Sequence, residues 1–208
     1  FISSPKLDDL QCAFTSLEGF LKGSNEQSIN VFACFDNEEV GSGTKQGAES
    51  TFLADVLKRI NTGLGKEQED YYRALASSFM LSADNAHAVH PNHNCVYMNE
   101  GIVVKSHAGQ KYTSDAVSIA IFKGFCEKAN VPIQFFANRS DAAGGSTLGN
   151  IAMAQVSMNT VDIGLPQLAM HSAYETSGVK DTGYLIEASK EFYSCHIKAA
   201  GDGLFEIA

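Results

Sequence analysis

The sequence lacks any apolar run long enough to cross a membrane, and it lacks an excess of basic residues. Nothing in its 208 residues approaches the roughly 20 consecutive apolar residues of a membrane-spanning helix. The start shows neither the basic region nor the apolar region of a secretory signal peptide. Lys and Arg total 15 against 24 Asp and Glu, which gives a net charge of −9. These shortages argue against a nucleic-acid partner and against a membrane surface.

Closely spaced cysteine pairs are also missing. The five cysteines are an odd number and include no C-x-x-C motif, which is typical of a reduced protein rather than a disulfide scaffold. We therefore expect a cytoplasmic location. No repeat or low-complexity linker interrupts residues 1–208, so we expect a single domain. Because the first residue is Phe1 rather than Met, we also expect the chain to be part of a longer polypeptide.

The hydrophobic pattern predicts alternating helices and strands. Helices are predicted over 8–22, 46–62, 67–80, 113–129, 147–159 and 178–195, and strands over 29–35, 101–106, 131–137 and 160–163. The first helix is indicated by a stripe of Leu10, Phe14, Leu17 and Leu21. Alternation of this kind predicts an α/β fold with a layered sheet flanked by helices. In such sheets, ligands bind at the carboxyl ends of the strands.

Polar side chains gather where the first predicted strand ends. The apolar run over 29–35 is followed by Asp36-Asn37-Glu38-Glu39 and then by small, turn-forming residues. Neighbouring side chains leave the backbone in different directions, so one carboxylate could bind a metal while the other reaches toward a water. Taken alone, such a cluster is more often a solvated turn, and both interpretations stay open.

A second cluster, residues 82–94, contains one aspartate and three histidines: Asp84, His87, His90 and His93. Imidazole and carboxylate groups are common zinc ligands. Pro91 breaks any helix at this point, so the three histidines need not share one face. Asp84 lies nearest to the apolar run that precedes the cluster and is therefore the stronger ligand candidate.

Two further clusters complete the set. His171 follows a proline turn and apolar residues, and a lone histidine in that setting is more often structural than a ligand. The segment Gly144-Gly145-Ser146-Thr147 resembles an anion cradle at a helix start, but no lysine follows the glycines, so it is not a Walker motif. It could bind a carboxylate or carbonyl oxygen, or form a tight turn. Together the four clusters supply Glu, Glu, Asp and His, which is the ligand supply of a two-metal hydrolase.

Several motifs, in chain order, resemble those of one known family. They are SPKLDDL at 4–10, DNEEVGS at 36–42, SADNAHAVHPN at 82–92, GGSTLG at 144–149 and DIGLPQLAMHSAYE at 162–175. They are similar to segments of the M18 aminopeptidases, the aspartyl-aminopeptidase family, and the resemblance covers essentially the whole chain. It implies a zinc-peptidase catalytic domain with a phosphorylase/hydrolase-like α/β fold and a mixed sheet. It also implies a peptide substrate and two divalent ions, which we expect to be zinc, with manganese or cobalt as the alternatives.

The resemblance assigns roles to individual residues. Asp8 would bridge both ions, Glu39 and His171 would complete the site of one ion, and Asp84 would bind the other. Glu38 would be the general base that takes a proton from water. Four further residues would bind the substrate: Lys105, Asp141, Gly145 and Ser146. The Lys105 ammonium would favour an acidic N-terminal residue on the peptide.

Two departures from the family pattern matter. Asp9 stands where the family motif has Asn, and we expect little effect on Asp8. The family's H-x-D motif, which supplies one more histidine ligand, and the lid and dimerisation domain that follows it are not found in this sequence. We therefore expect this chain alone to hold the second ion weakly, through Asp8 and Asp84, and to show little peptidase activity.

Three functional hypotheses follow from these motifs. The first is the catalytic portion of a metalloaminopeptidase that is a homo-oligomer at full length. The second is a folded but inactive fragment or scaffold of such an enzyme. The third is another two-metal amidohydrolase, such as a deacylase, which would act on N-acylated substrates and need no free α-amine.

Overall fold

The computed structural model describes residues 1–91, 96–138, 141, 144–201 and 203–208. The helices are α1 (Leu7–Lys22), α2 (Phe52–Gly63), α3 (Gln68–Ala76), α4 (Ala116–Ala129), α5 (Leu148–Ala152) and α6 (Val179–Ser194). The strands are β1 (Ile2–Ser4), β2 (Phe79–Ala83), β3 (Ala86–His87), β4 (Ile102–Ser106), β5 (Ile133–Ala137), β6 (Asn159–Gly164), β7 (Pro166–Leu168), β8 (Glu175–Ser177), β9 (Ile197–Gly201) and β10 (Leu204–Ile207).

Two four-stranded sheets form the frame of the molecule. The central sheet has the order β2-β6-β4-β5, in which β2 is parallel to β6, β4 is parallel to β5, and β4 is antiparallel to β6. The second sheet has the order β1-β8-β7-β3, and β9 pairs with β10. The predicted α/β class, with a mixed sheet and flanking helices, is confirmed. No helix in the described ranges is both long and apolar enough to span a membrane.

The main core lies between the central sheet and the helices α4 and α6. Its fully buried members come from β4, β6 and these helices: Ile102, Val104, Val161, Ile163, Phe122, Phe125 and Leu185. Burying one side chain of this kind stabilises the fold by roughly 1.5–3 kcal/mol. Strands β4 and β6 are buried in this core. They therefore give firm support to β2 and β5, the strands beside them, and to the turns that follow those strands.

Most predicted elements are present, with shifted ends. The helices predicted over 8–22, 113–129 and 178–195 correspond to α1, α4 and α6, and the strands over 101–106, 131–137 and 160–163 correspond to β4, β5 and β6. The helix predicted over 46–62 begins only at Phe52, because hydrogen-bonded turns occupy the residues before it. The helix predicted over 147–159 ends at Ala152, where tight turns redirect the chain into β6.

The helix predicted over 67–80 is wrong in its last four residues. Helix α3 ends at Ala76, and β2 follows from Phe79. Strand β2 pairs in parallel with β6, from Phe79 opposite Asn159 to Ala83 opposite Ile163, so sheet pairing overrides the helical spacing of the apolar residues. Strands β1, β3, β7, β8, β9 and β10 are not predicted, because all of them except β9 have only two to four residues, too few to show a period.

The strand predicted over 29–35 is wrong. This run is irregular, pairs with no strand among the described residues, and lines, together with the edge strand β2, a groove of about 1150 Å³. The Asn30 amide donates a hydrogen bond to the carbonyl of Tyr193 at 2.8 Å, and the Tyr193 hydroxyl donates one to the carbonyl of Val31 at 3.0 Å. An apolar run becomes a strand only where its backbone N–H and C=O groups meet a neighbouring strand.

Helix α1 is confirmed, but the apolar stripe that predicts it is not the face that packs. Leu10, Phe14 and Leu21 are 63%, 54% and 68% exposed. The buried face carries small and polar residues and lies against α6. A Cβ atom at Gly19 would collide with the Cβ atom of Ser189 in α6. Close contact between the two helices therefore sets the orientation of α1.

Candidate metal centre

The five residues predicted as metal ligands or as the general base meet in one cavity of about 250 Å³. Asp8 lies at the start of α1, Glu38 and Glu39 lie in the turn after 29–35, Asp84 follows β2, and His171 lies in the turn between β7 and β8. Strand β8 pairs with both β1 and β7, which brings the segments of Asp8 and His171 together. The cavity thus collects groups that are far apart in the sequence.

Asp8, Glu39 and His171 form a compact triad. The Nε2 atom of His171 is 3.0 Å from Oδ2 of Asp8 and 3.1 Å from Oε2 of Glu39. One ligand atom from each residue lies within 4.8 Å of the other two. One imidazole nitrogen and two carboxylate oxygens are a sufficient protein set for a zinc ion that keeps an open position.

Asp8 also belongs to a second triad, with Asp9 and Asp84, whose carboxylate oxygens lie within 4.8 Å of one another. Asp8 is thus the residue that both triads share. The sequence motifs mark Asp9 only as a departure from the family's Asn. In the structure, its carboxylate adds an oxygen donor beside Asp8 and Asp84.

The close spacing of these carboxylates contributes to raised pKa values. Burial raises the pKa of Asp8 well above its ordinary value, and the Asp84 carboxylate and a hydrogen bond with Glu39 raise it further. Burial, followed by Asp84, also raises the pKa of Asp9. The Oδ1 atoms of Asp8 and Asp9 are buried and have no hydrogen-bond partner within the described part of the chain. Such an oxygen is costly to bury unless it is protonated or meets a cation, so the donor set fits a divalent ion.

Glu38 stands outside both triads but lines the same cavity. Burial raises its pKa to about 7, and the carboxylates of Asp84 and Glu39 contribute to the shift. The turn that carries it is fixed locally: Asn37 has a left-handed φ of 64°, and its backbone N–H donates to Oδ1 of Asp36 at 2.8 Å. A carboxyl group with a pKa near neutrality is suited to exchanging protons with a substrate.

Lys105 reaches the cavity from β4 and is paired with Asp84. Its side chain is 3% exposed, and its Nζ donates to Oδ2 of Asp84 at 3.0 Å. The same Nζ lies 5.6 Å from the centre of the Tyr112 ring, within the range of a cation–π contact. Burial is the largest single influence on Lys105 and would lower its pKa, but the Asp84 carboxylate, Tyr112 and Asp162 together outweigh burial and raise the pKa. Lys105 is therefore a charged group held between Asp84 and Tyr112.

Asp84 is positioned by the sheet. Its backbone N–H donates to the carbonyl of Ile163 at 3.0 Å, which extends the pairing of β2 with β6. A Cβ atom at Gly164 would collide with the carbonyl oxygen of Asp84. Glycine at 164 is thus what lets β6 pass so close to the residue that ends β2.

The glycine-rich loop forms part of the cavity wall. Gly145 and Ser146 line the cavity, and the Ser146 hydroxyl donates to Oδ1 of Asn150 at 2.7 Å. Asp141 is exposed and is not among the residues that line the cavity. The structure therefore brings two of the three predicted loop residues to the metal-site candidates.

The two histidines of the second cluster that the structure describes are not both at the cavity. His87 lines the cavity and His90 does not, while His93 lies outside the described residues. The described residues thus give no support to a zinc site shared by the three histidines.

Comparison with known proteins decides the family. A family model described as Aminopeptidase I zinc metalloprotease (M18) matches residues 1–193. The chain belongs to the M18 family. The resemblance carried by the motifs is confirmed over nearly the whole M18 chain.

Individual proteins and a solved structure are also similar to this chain. Probable M18 family aminopeptidase 2 of Clostridium novyi (strain NT) is 49% identical over 201 residues, covering 93% of this chain and 46% of the relative. Aspartyl aminopeptidase 1 of Schizosaccharomyces pombe is 40% identical over 206 residues, covering 93% and 43%. A chain of the S. cerevisiae mApe1 dodecamer superposes with a TM-score of 0.76 at 28% identity, covering 92% of this chain and 45% of its own. The chain spans about half the length of the curated relatives it matches.

Proposed function

We propose that the whole protein carrying this M18 chain is a metal-dependent aminopeptidase that removes N-terminal residues from peptides. The observation that carries the proposal is the triad in which Nε2 of His171 lies 3.0 Å from Oδ2 of Asp8 and 3.1 Å from Oε2 of Glu39. Membership of the M18 family supports the same class of reaction. These three residues would hold one divalent ion, for which zinc, manganese and cobalt have suitable ligand chemistry.

A second ion would lie between Asp8 and Asp84, with Asp9 beside it. This position offers oxygen donors without an imidazole from the described residues, and Oδ2 of Asp84 is already neutralised by Lys105. We therefore expect the second ion to be held more weakly than the first.

Ions in these positions would polarise the scissile carbonyl and make a water easier to deprotonate. Glu38 is the proton carrier: its carboxylate accepts a proton as the water attacks, and then donates that proton to the nitrogen of the leaving amine. A pKa of about 7 allows both directions of transfer near neutral pH. Glu38 and Glu39 take different roles because adjacent side chains leave the turn in different directions.

We further propose that Lys105 gives the enzyme a preference for an acidic N-terminal residue. An ammonium has three N–H donors, and the hydrogen bond to Asp84 uses one of them. A carboxylate on the substrate would therefore gain a charge-assisted hydrogen bond. The name of the S. pombe relative, an aspartyl aminopeptidase, supports this preference. Gly145 and Ser146 would line the same pocket, and the substrate role of Asp141 stays a prediction.

We also propose that the whole protein is a homo-oligomer of a reducing, cytoplasmic compartment. The mApe1 neighbour is a dodecamer, and the exposed apolar stripe of α1 is a surface suited to burial against other protein. Within the described chain, Cys12, Cys34, Cys126 and Cys195 are free thiols, as a reducing compartment would leave them.

Elemental analysis of the purified whole protein, combined with hydrolysis of a panel of aminoacyl substrates, tests the proposal. We expect bound metal and hydrolysis of substrates that have a free α-amine, fastest for Asp and Glu. An N-acetylated copy of the best substrate is the control. Faster hydrolysis of the acetylated copy would favour a deacylase, and bound metal without any hydrolysis would favour a scaffold.

A further inference from the structure

We infer that Glu175 is a positioning residue for the proposed metal centre, because its carboxylate fixes the backbones of two ligand residues at once. Its Oε2 accepts a hydrogen bond from the backbone N–H of Asp8 at 2.9 Å, and its Oε1 accepts one from the backbone N–H of His171 at 2.7 Å. Glu175 is only 2% exposed. The inference rests on the proposed function, since it concerns how that centre is assembled.

Neither ligand residue lies where regular helix or sheet pairing takes up its backbone N–H. His171 has a φ of 64°, in the left-handed region that a non-glycine residue rarely adopts. Asp8 has a ψ of 111°, which is not helical, although it lies in the first turn of α1. Backbone N–H groups at the start of a helix have no partner within that helix. Glu175 supplies the acceptor for both N–H groups.

Glu175 is itself held by the sheet. It opens β8 and pairs with Ser4 of β1, and β8 pairs on its other side with β7. Its carboxylate therefore ties the segment that enters α1 to the β7–β8 turn, although Asp8 and Glu175 are 167 positions apart. The link fixes the two backbone positions from which the side chains of Asp8 and His171, two members of the first triad, reach each other.

Asp181 offers a matched control. It is also fully buried and also accepts two backbone N–H groups, from Asn99 at 2.6 Å and from Gly101 at 3.0 Å. Neither of these residues lines the cavity. A loss of one acceptor at Asp181 should therefore disturb the fold to a similar degree without moving a metal ligand.

The test compares Glu175→Gln with Asp181→Asn in the whole protein. Each variant keeps its shape but replaces an acceptor oxygen by an amide nitrogen, which cannot accept a hydrogen bond. Zinc affinity is measured by competition with a fluorescent chelator, and Tm is measured in EDTA. We expect Glu175→Gln to weaken zinc binding by about 10–100-fold, the usual effect of removing a group that orients metal ligands. We expect Asp181→Asn to lower Tm while leaving zinc affinity unchanged.

Unchanged zinc affinity in Glu175→Gln overturns the inference, and so does an equal loss of affinity in Asp181→Asn. If Glu175→Gln does not fold, Glu175→Asp takes its place, because it keeps the charge but moves the carboxylate away from one N–H. Its zinc affinity is then compared with that of Asp181→Asn in the same way. His171→Ala distinguishes a failure of the proposed metal centre from a failure of the positioning role of Glu175. If His171→Ala binds zinc as tightly as the wild type, the proposed metal centre itself is wrong. If His171→Ala weakens zinc binding and Glu175→Gln does not, only the positioning role is wrong.

Discussion

Replacing Lys105 by methionine tests how far the cavity depends on its buried cation. The Nζ of Lys105 lies 3.0 Å from Oδ2 of Asp84, and the two side chains are 3% and 17% exposed. Removing one partner of a buried ion pair costs roughly 3–5 kcal/mol, because the remaining charge is left uncompensated. Asp84 keeps some contact with water, so we expect the lower end, about 3 kcal/mol. For a chain of this size, that loss lowers Tm by about 6–12 °C.

Thermal unfolding of the 208-residue chain in EDTA measures this loss. Lys190→Met is the control, since Lys190 pairs with Glu187 at 3.4 Å with side chains 47% and 55% exposed, and an exposed pair contributes only about 0–1 kcal/mol. The double variant Lys105→Met with Asp84→Asn removes both charges and should recover most of the lost Tm. In zinc instead of EDTA, the variant should also recover part of the lost Tm, because the ion would bind beside Asp84. If Lys105→Met has the same Tm as Lys190→Met, the ion pair does not stabilise the fold and the reasoning is refuted.

The proton carrier, the first metal position, the crowded carboxylates and the substrate preference each allow a further test. Glu38→Gln in the whole protein should leave metal content unchanged and lower kcat by about 10²–10⁴-fold; wild-type turnover would exclude Glu38 as the base. His171→Ala and Glu39→Ala should lose the same ion, as measured by elemental analysis, and full occupancy at both positions in crystals of either variant would contradict the assignment. Burial raises the pKa of Asp8, so in EDTA the native state keeps a proton that the unfolded chain releases above about pH 4. The Asp8 contribution to the free energy of unfolding should therefore fall as pH rises from there toward the raised native pKa. Urea titrations of Asp8→Asn should show a shallower slope than those of the wild type, since the raised pKa values of Asp9 and Glu38 act in the same direction. Finally, Lys105→Met should lose the preference for Asp and Glu over Leu and Ala substrates in kcat/KM; a preserved preference would assign it to other residues.

The hydrophobic pattern predicts the core of this fold better than its edge. Helix α6 and strand β4 are predicted to within one residue at either end, because four of the five residues of β4 are buried and one face of α6 packs into the core. The run over 29–35 has a similar apolar pattern and yet is no strand. Strand formation depends on a neighbouring strand from elsewhere in the chain, which a local pattern does not contain.

The sequence likewise predicts only part of the candidate site. The motifs predict that Asp8, Glu39 and His171 act together, and the structure places them together. They do not predict Glu175, because its role lies in hydrogen bonds to backbone N–H groups, which leave no mark on the side chains of their partners. They also do not predict that Lys105 pairs with Asp84, since the sheet order β2-β6-β4 alone brings those two residues to one cavity.

The irregular run over 29–35 leads directly into the turn of Glu39, so one wall of the cavity stands outside both sheets. An ion bound by Glu39 together with Asp8 and His171 would act as a crosslink, because it would tie this wall to two segments that the second sheet already anchors. Native-state hydrogen exchange would report this: backbone amides of 36–47 should exchange slowly with zinc and quickly in EDTA, while those of β4 and β6 should change little. Loss of the ion would then let this wall move away from the rest of the cavity. The same movement would release the metal and give access to the cavity.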